Sequence, residues 1–493
     1  MTKVIIIGGG MAGLSAGIHL QMNGYQTEIF EMGQRAGGLC TAWKRKDYLI
    51  DGCIHWMVGI NQESITYKIW DRLLDMKSLK INLYEEFYSV EHEGKILHFY
   101  SDADKLNKHL KEISPQDSME IDNFTNAIKR FSKSELGMTE KAPETMGFIE
   151  KTVSALRMIP MFFFMRPYTM PLGSYIERFK SPLIRNFLLT AFFPDMPVMI
   201  LLMNAASFNE KNTGYPIGGS QNLVDNIVKR YESLGGKMHY GSKVEQILVE
   251  EGAARGIEVD GKKFKSDIVI SAADGRATVM GMLEGKYLDP SIRRLYLSGK
   301  YEPNMATIYV SLGVKRKFDD AYKTYGFFDL KKPLVVDGKE VKSIGVTIHN
   351  FDPKSAPQGK TVMTMMIPSI DPKYWINLRE KDPKGYARQK NAIALKVVDE
   401  LEAHFSNIKD NMEVLDVTTP ATYFRYTGNW NGAAMGWTDM SLFVNKPKKQ
   451  IEGLKDFYMC GQWVGDAGLP GAIMSGRDVT QIICKRDGKD FRG

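Results

Sequence analysis

Two periods of apolar and polar positions run along this chain, and the points where one gives way to the other mark its elements. Val4 to Ile7 is apolar on both faces, which predicts a buried parallel strand rather than a half-exposed one. Gly8, Gly10 and Gly13 follow, then small and apolar residues at helical spacing. A second short strand, Gln26 to Phe30, stops at Glu31. Further on, Leu223, Ile227, Val228, Tyr231 and Leu234 share one helical face ended by Gly235-Gly236. Val244 to Val249 and Arg255 to Val259 read as short strands around a turn, and Asp267 to Ser271 as a buried strand returning to the sheet. Phe457 to Cys460 predicts a last strand, Gly461 a tight turn, and Gly471-Ala472-Ile473 the opening of a helix.

The first of these junctions carries chemistry. One glycine at a strand end permits a tight turn, a second lets backbone approach a ligand, and Gly13 lets the helix lie close on the sheet. The helix headed by Met11 and Ala12 then turns free N–H groups and its positive dipole end toward a pyrophosphate. Glu31, 18 residues past Gly13, stands where a carboxylate accepts ribose hydroxyls. That acid disfavours a 2′-phosphate, so the dinucleotide is FAD or NAD rather than NADP. Past Met32, Arg35 with Gly37, Gly38 and Leu39 offers a cation and bare backbone for a second diphosphate contact. Ala272 belongs to the small residues expected beside the cofactor after the returning strand. Asp466 is placed for a ribityl hydroxyl, and the helix opened by Gly471 can face a flavin ring. Asp51-Gly52-Cys53-Ile54-His55 has the look of another flavin-side element. His55 there is either a core histidine or a group that relays a proton.

At 493 residues the chain is long enough for two or three domains. Its 43% apolar and 25% charged residues are ordinary globular composition, and a net charge of +7 identifies neither lipid nor nucleic acid as a partner. Four cysteines without CxxC spacing argue against a zinc site or disulfide framework and suit a reducing cytoplasm. The first strand begins too early to leave room for a cleaved leader. No P-loop, metal cluster or Ser-His-Asp order is present. Residues 158–205 are rich in Met and Phe but are interrupted by Arg166, Pro167, Pro194, Asp195 and Pro197. They read either as core packing or as apolar helices dipping into one leaflet and lining an entrance for a greasy substrate.

Together these elements resemble the phytoene desaturase, carotenoid isomerase and retinol saturase superfamily of FAD-dependent oxidoreductases, nearly end to end in motif order. The resemblance implies a discontinuous Rossmann-type FAD-binding domain of α/β class, with an inserted α+β substrate domain that carries apolar helices. Expected boundaries are 1–85, 206–290 and 412–493 for the first, and 86–205 and 291–411 for the second. Gly8, Gly10, Gly13, Glu31, Arg35, Gly37 and Gly38 would hold the ADP half of FAD, Val244 the adenine, and Asp466 and Ile473 the ribityl and flavin side. DGCIHWMVG looks more like the saturase and isomerase branch. TPATYFRYTGNWNGAAMGW is similar to the family's substrate-side strand, so Tyr423, Arg425, Tyr426 and Trp430 would face the cavity or the flavin. His55, Arg425 and Tyr426 are the expected catalytic side chains.

The implied reaction is hydride exchange with an apolar polyene, isoprenoid or other lipid, by desaturation, saturation or isomerisation. It implies a cytoplasmic protein with peripheral membrane contact, no nucleic-acid partner and no metal. Two alternatives share the cofactor domain: a flavin amine oxidase, and a non-catalytic lipid-binding protein scaffolded by FAD.

Overall fold

The computed structural model describes residues 1–92, 94–133, 140–303, 306–318, 325–437, 439, 442 and 446–493. Strand β1 (Lys3–Ile7) runs into helix α1 (Met11–Met22) and back to strand β2 (Gln26–Phe30). A parallel five-stranded sheet forms around them in the order Lys237–His239, β2, β1, Ile268–Ser271, Phe457–Met459. Ile5, Ile6 and Val269 have no exposed surface, as expected where helices cover both faces of a parallel sheet. The predicted helix spans Gly219–Ser233 and buries Leu223, Val224, Ile227 and Tyr231. The strands expected near Val244 and Arg255 belong to an antiparallel three-stranded sheet with Lys262–Lys265.

A hairpin of β3 (Ala42–Arg45) and β4 (Tyr48–Asp51) leads out of the nucleotide half. The other half is a seven-stranded sheet in the order Met412–Thr418, Ala306–Val314, Thr361–Ser369, Lys339–Ile348, Tyr325–Val336, Glu86–His92, Lys95–Tyr100. It is antiparallel except where Tyr325–Val336 meets Glu86–His92. Beside it, helices from 103 to 209 enclose a separate apolar core built on Phe99, Phe124, Phe187 and Leu202.

Three expected boundaries move. Met412–Thr418, expected in the nucleotide domain, pairs with Ala306–Val314 in the substrate-side sheet. Ala206 and Phe208 continue a helix whose core is the substrate-side one. In the other direction Ile292, Leu295 and Tyr296, expected in the substrate domain, pack beneath Ile5, Ile7 and Val269.

The Met- and Phe-rich stretch divides as well. Residues of Leu172–Ile176, Pro182–Thr190 and Val198–Asn209 are core. The helix Phe148–Met165 has no buried residue, and Phe148, Phe162 and Phe163 are 86%, 64% and 62% exposed.

Candidate cofactor and active site

The ends of β1 and the strand Ile268–Ser271 meet where the glycines begin. A methyl group on Gly8 would lie 3.3 Å from the Ala272 carbonyl, and one on Gly13 would lie 2.0 Å from the Gly8 carbonyl oxygen. One on Gly10 would meet no protein atom within 4 Å. That gap opens at the first turn of α1, whose Gly10 cap supplies no side-chain hydrogen bond to the free N–H groups of Met11 and Ala12. Gly37 N–H donates to the Gly9 carbonyl at 2.8 Å, and a Cβ on Gly38 would lie 3.4 Å from Gly10 Cα. The two glycine turns therefore face each other across the mouth of α1.

Glu31 is buried, with Oε2 accepting from Gly9 N–H and Oε1 from Gly33 N–H, each at 2.7 Å. Burial raises its carboxyl above the usual range, and the two N–H groups oppose the shift. Ser242 N–H donates to the Glu31 carbonyl at 2.8 Å, which brings the start of the Val244 strand alongside. Met32 is exposed, Leu39 half-buried, and Arg35 exposed in a surface groove with Gln221, Asp225 and Tyr240.

The C-terminal helix Gly468–Arg486 lies against α1. Ser15 Oγ donates to the Ile473 carbonyl at 2.6 Å, and a methyl on Gly476 would lie 2.3 Å from the Ala12 carbonyl oxygen. No side chain caps this helix either. Neither helix N-terminus is capped by a side chain, and that of α1 lies beside Gly461, where a methyl would stand 3.6 Å from Ala12 Cβ and whose N–H donates to Ser475 Oγ at 2.7 Å. Asp466 Oδ2 accepts from Lys446 Nζ at 2.6 Å, while Oδ1 is buried without a partner. An orphaned carboxylate oxygen next to two free helix ends and an open glycine turn fits FAD, with its diphosphate at α1 and a ribityl hydroxyl at Asp466. The Ile473 side chain is fully buried in the core, and its carbonyl is the one that accepts from Ser15.

His55 follows β4 into the junction between the two halves. Its Nε2 lies 2.9 Å from the Tyr309 hydroxyl, and its carbonyl accepts from Tyr84 OH at 2.7 Å. Trp56, Tyr309 and Tyr325 surround the imidazole at ring distances of 6.0–6.1 Å. Burial lowers the His55 pKa, with Asp51 pulling the other way. Asp51 itself is fully engaged. Oδ1 accepts from Ser220 Oγ at 2.6 Å and from Cys53 and Ile54 N–H, and Oδ2 from Ser220 N–H and Tyr215 OH. Burial raises the phenols of Tyr84, Tyr309, Tyr325 and Tyr423, so all four stay protonated near neutral pH.

The expected substrate-side strand at 419–427 is a helix, Pro420–Thr427. Thr419 and Pro420 form its start, and Tyr423 is the side chain it turns toward Tyr309. Arg425 and Tyr426 are exposed and stack on each other, with the guanidinium 4.2 Å from the ring centre. Among the described residues no hydrogen bond or ring contact joins either to His55. Trp430 sits with Trp437, Trp463 and Tyr296 in another aromatic cluster. Tyr309, Tyr325 and Tyr84 carried no local signal, since each becomes part of the site only through long-range strand pairing.

The comparisons with known proteins agree with this geometry. A family model described as flavin containing amine oxidoreductase matches residues 11–484. The chain is 23% identical to 4,4'-diaponeurosporene oxygenase of Staphylococcus aureus, over 99% of this chain and 100% of that one. It is 22% identical to an inactive all-trans-retinol 13,14-reductase of Danio rerio, over 98% and 86%. An oxidoreductase structure from Methanosarcina mazei shares the fold with a TM-score of 0.62 at 18% identity, covering 97% of this chain and 100% of that one.

Proposed function

The chain belongs to the flavin-containing amine oxidoreductase family and is an FAD-dependent oxidoreductase, and we propose that its substrate is an apolar polyene or isoprenoid, altered at a carbon–carbon bond. The observation that carries this reading is the wall around His55: among the described residues it holds uncharged rings, protonated phenols and two nearby carboxylates, Asp51 and Asp352, whose oxygens already accept hydrogen bonds. An amine would find no free counter-charge there, whereas a conjugated hydrocarbon finds rings to lie against. The relatives named for diaponeurosporene and for retinol, alike along nearly the whole chain, support the same class. Cys460, the late cysteine an amine oxidase would offer its flavin, is buried and its thiol pushed up to about 12, which supports non-covalent FAD.

Bound FAD supplies a hydride donor or acceptor. The chain does the rest. The N-termini of α1 and the C-terminal helix would hold the diphosphate and flavin side, Glu31 and the Gly9 turn would shape the ribose end, and Asp466 Oδ1 would take a ribityl hydroxyl. His55, kept neutral by burial, accepts or returns a proton at Nε2 with the Tyr309 hydroxyl as its partner. The aromatic wall excludes water from the reacting carbon.

Peripheral attachment through the exposed helix Phe148–Met165 gives a lipid-borne substrate its way in, from a cytoplasmic membrane surface. Phe148, Ile149, Phe162 and Phe163 support this, with Lys151, Arg157 and Arg166 at headgroup positions. Among the described residues no helix is long and apolar enough to cross a membrane. Organic extraction of the purified protein, followed by mass spectrometry, tests the substrate class. A co-purified polyene or isoprenoid supports it. Recovery of a polyamine or other charged amine in its place contradicts it.

A further inference from the structure

The antiparallel hairpin β3–β4 pairs Ala42 with Asp51, and Gly52 N–H continues the ladder to the Thr41 carbonyl at 3.1 Å. The ladder ends there, with the Cys53 and Ile54 N–H groups turned to Asp51 Oδ1, so Cys40 and Cys53 flank its last bond, one on each strand. A disulfide spans roughly 4.4–6.8 Å at Cα. Both thiols are free, and Cys53 is the neighbour that most raises the Cys40 thiol. Cys40 is buried and Cys53 half-buried, so a solution oxidant meets Cys53 first.

We propose that Cys40 and Cys53 form a reversible, redox-active disulfide that staples the Gly37–Gly38 turn to the loop carrying His55. The oxidant is a peroxide. Cys53 sulfur attacks it, the O–O bond breaks, and a sulfenic acid and one water result. Cys40 sulfur then displaces the hydroxyl as a second water, so two thiols and one peroxide give one disulfide and two waters. The proton that leaves Cys40 has a path: Ser220 touches the thiol, and its Oγ lies 2.6 Å from Asp51 Oδ1. Cys460 follows the last strand and Cys484 lies on the C-terminal helix, both buried.

The test uses the full chain purified with its flavin, treated with stoichiometric hydrogen peroxide, denatured in alkylating reagent and mapped without reduction. The expected result is a cross-linked peptide containing Cys40 and Cys53, lost on dithiothreitol treatment, with Cys460 and Cys484 alkylated. Cys53→Ser leaves Cys40 alkylated under the same treatment. Recovery of both Cys40 and Cys53 as alkylated thiols overturns the proposal, and so does Cys53 over-oxidised to a sulfinic acid beside an alkylated Cys40.

Discussion

His55 Nε2 and the Tyr309 hydroxyl lie 2.9 Å apart although 254 residues separate them in the chain. The contact joins the loop after β4 to the strand Ala306–Val314, second from the edge of the seven-stranded sheet, so it depends on the packing of the two halves. If the pair moves a proton, His55→Gln and Tyr309→Phe each lower turnover by about 10²-fold, the size of a general acid–base contribution. Flavin content and thermal midpoint stay near wild type, and the double variant is little worse than either alone because the two act as one unit. Steady-state kinetics beside flavin absorbance checks this; turnover that falls only along with stability makes His55 a structural histidine.

Gly10 and Gly13 separate a ligand effect from a packing effect. Gly10 already has extended backbone, φ −71° and ψ 177°, and a methyl there meets nothing in the protein. Gly10→Ala therefore leaves the apoprotein's thermal midpoint unchanged but costs FAD its close approach, seen as loss of bound flavin. Gly13→Ala drives a methyl to 2.0 Å from the Gly8 carbonyl and destabilises the chain with or without flavin. Thermal melts of apo and flavin-loaded samples distinguish the two.

Acid weakens the fold through its buried imidazoles. Burial pushes His19 and His349 down to about 4. Both are neutral in either state above about pH 6.5; as pH falls from there toward about 4, the unfolded chain takes up protons the folded one refuses, and stability is lost. For His19 the loss is about 2 kcal/mol by about pH 5. Its Nδ1 lies 2.8 Å from the Ser15 carbonyl and its Nε2 is buried without a partner, so an added proton there has no acceptor. Asp274, raised to about 6 by burial, works in the opposite direction over the same range. His19→Gln reduces the drop in urea midpoint between about pH 7 and about pH 5; an unchanged drop removes His19 from the account.

The exposed helix predicts lipid binding. Flotation with anionic vesicles carries the wild type upward. Phe162→Ser with Phe163→Ser lowers the bound fraction at least tenfold, since each buried Phe contributes roughly 1.5–3 kcal/mol. Wild-type protein that stays at the bottom with neutral and anionic vesicles leaves these side chains without a lipid partner.

The strand–glycine–helix–strand–acid unit from β1 to Glu31 was legible in the sequence because all its cues are local: hydrophobic period, glycine spacing and an acid at fixed distance. The C-terminal helix was legible for the same reason, although it starts at Gly468 rather than at Gly471. The His55 partners were not. Tyr309 and Tyr325 look like ordinary residues of apolar strands and reach the site through pairings hundreds of residues apart. The 419–437 segment misleads because its strand was implied by the resemblance alone; Thr419 ahead of Pro420 was the local cue to a helix start. Apolar composition between residues 158 and 205 could not say which helices would meet the core, because that depends on the sheet beside them.

The central claim is that this flavoprotein exchanges hydride with a carbon–carbon bond of an apolar polyene. Anaerobic stopped-flow spectroscopy of the purified flavin-loaded protein tests it most directly, mixing the oxidised form with a partly saturated polyene and the reduced form with a fully conjugated one, and following flavin absorbance. The account predicts a single-turnover flavin change in at least one direction, matched by a polyene product that differs by one pair of hydrogens. Flavin that stays silent toward polyenes in both directions, yet is reduced rapidly by a primary amine, would contradict it.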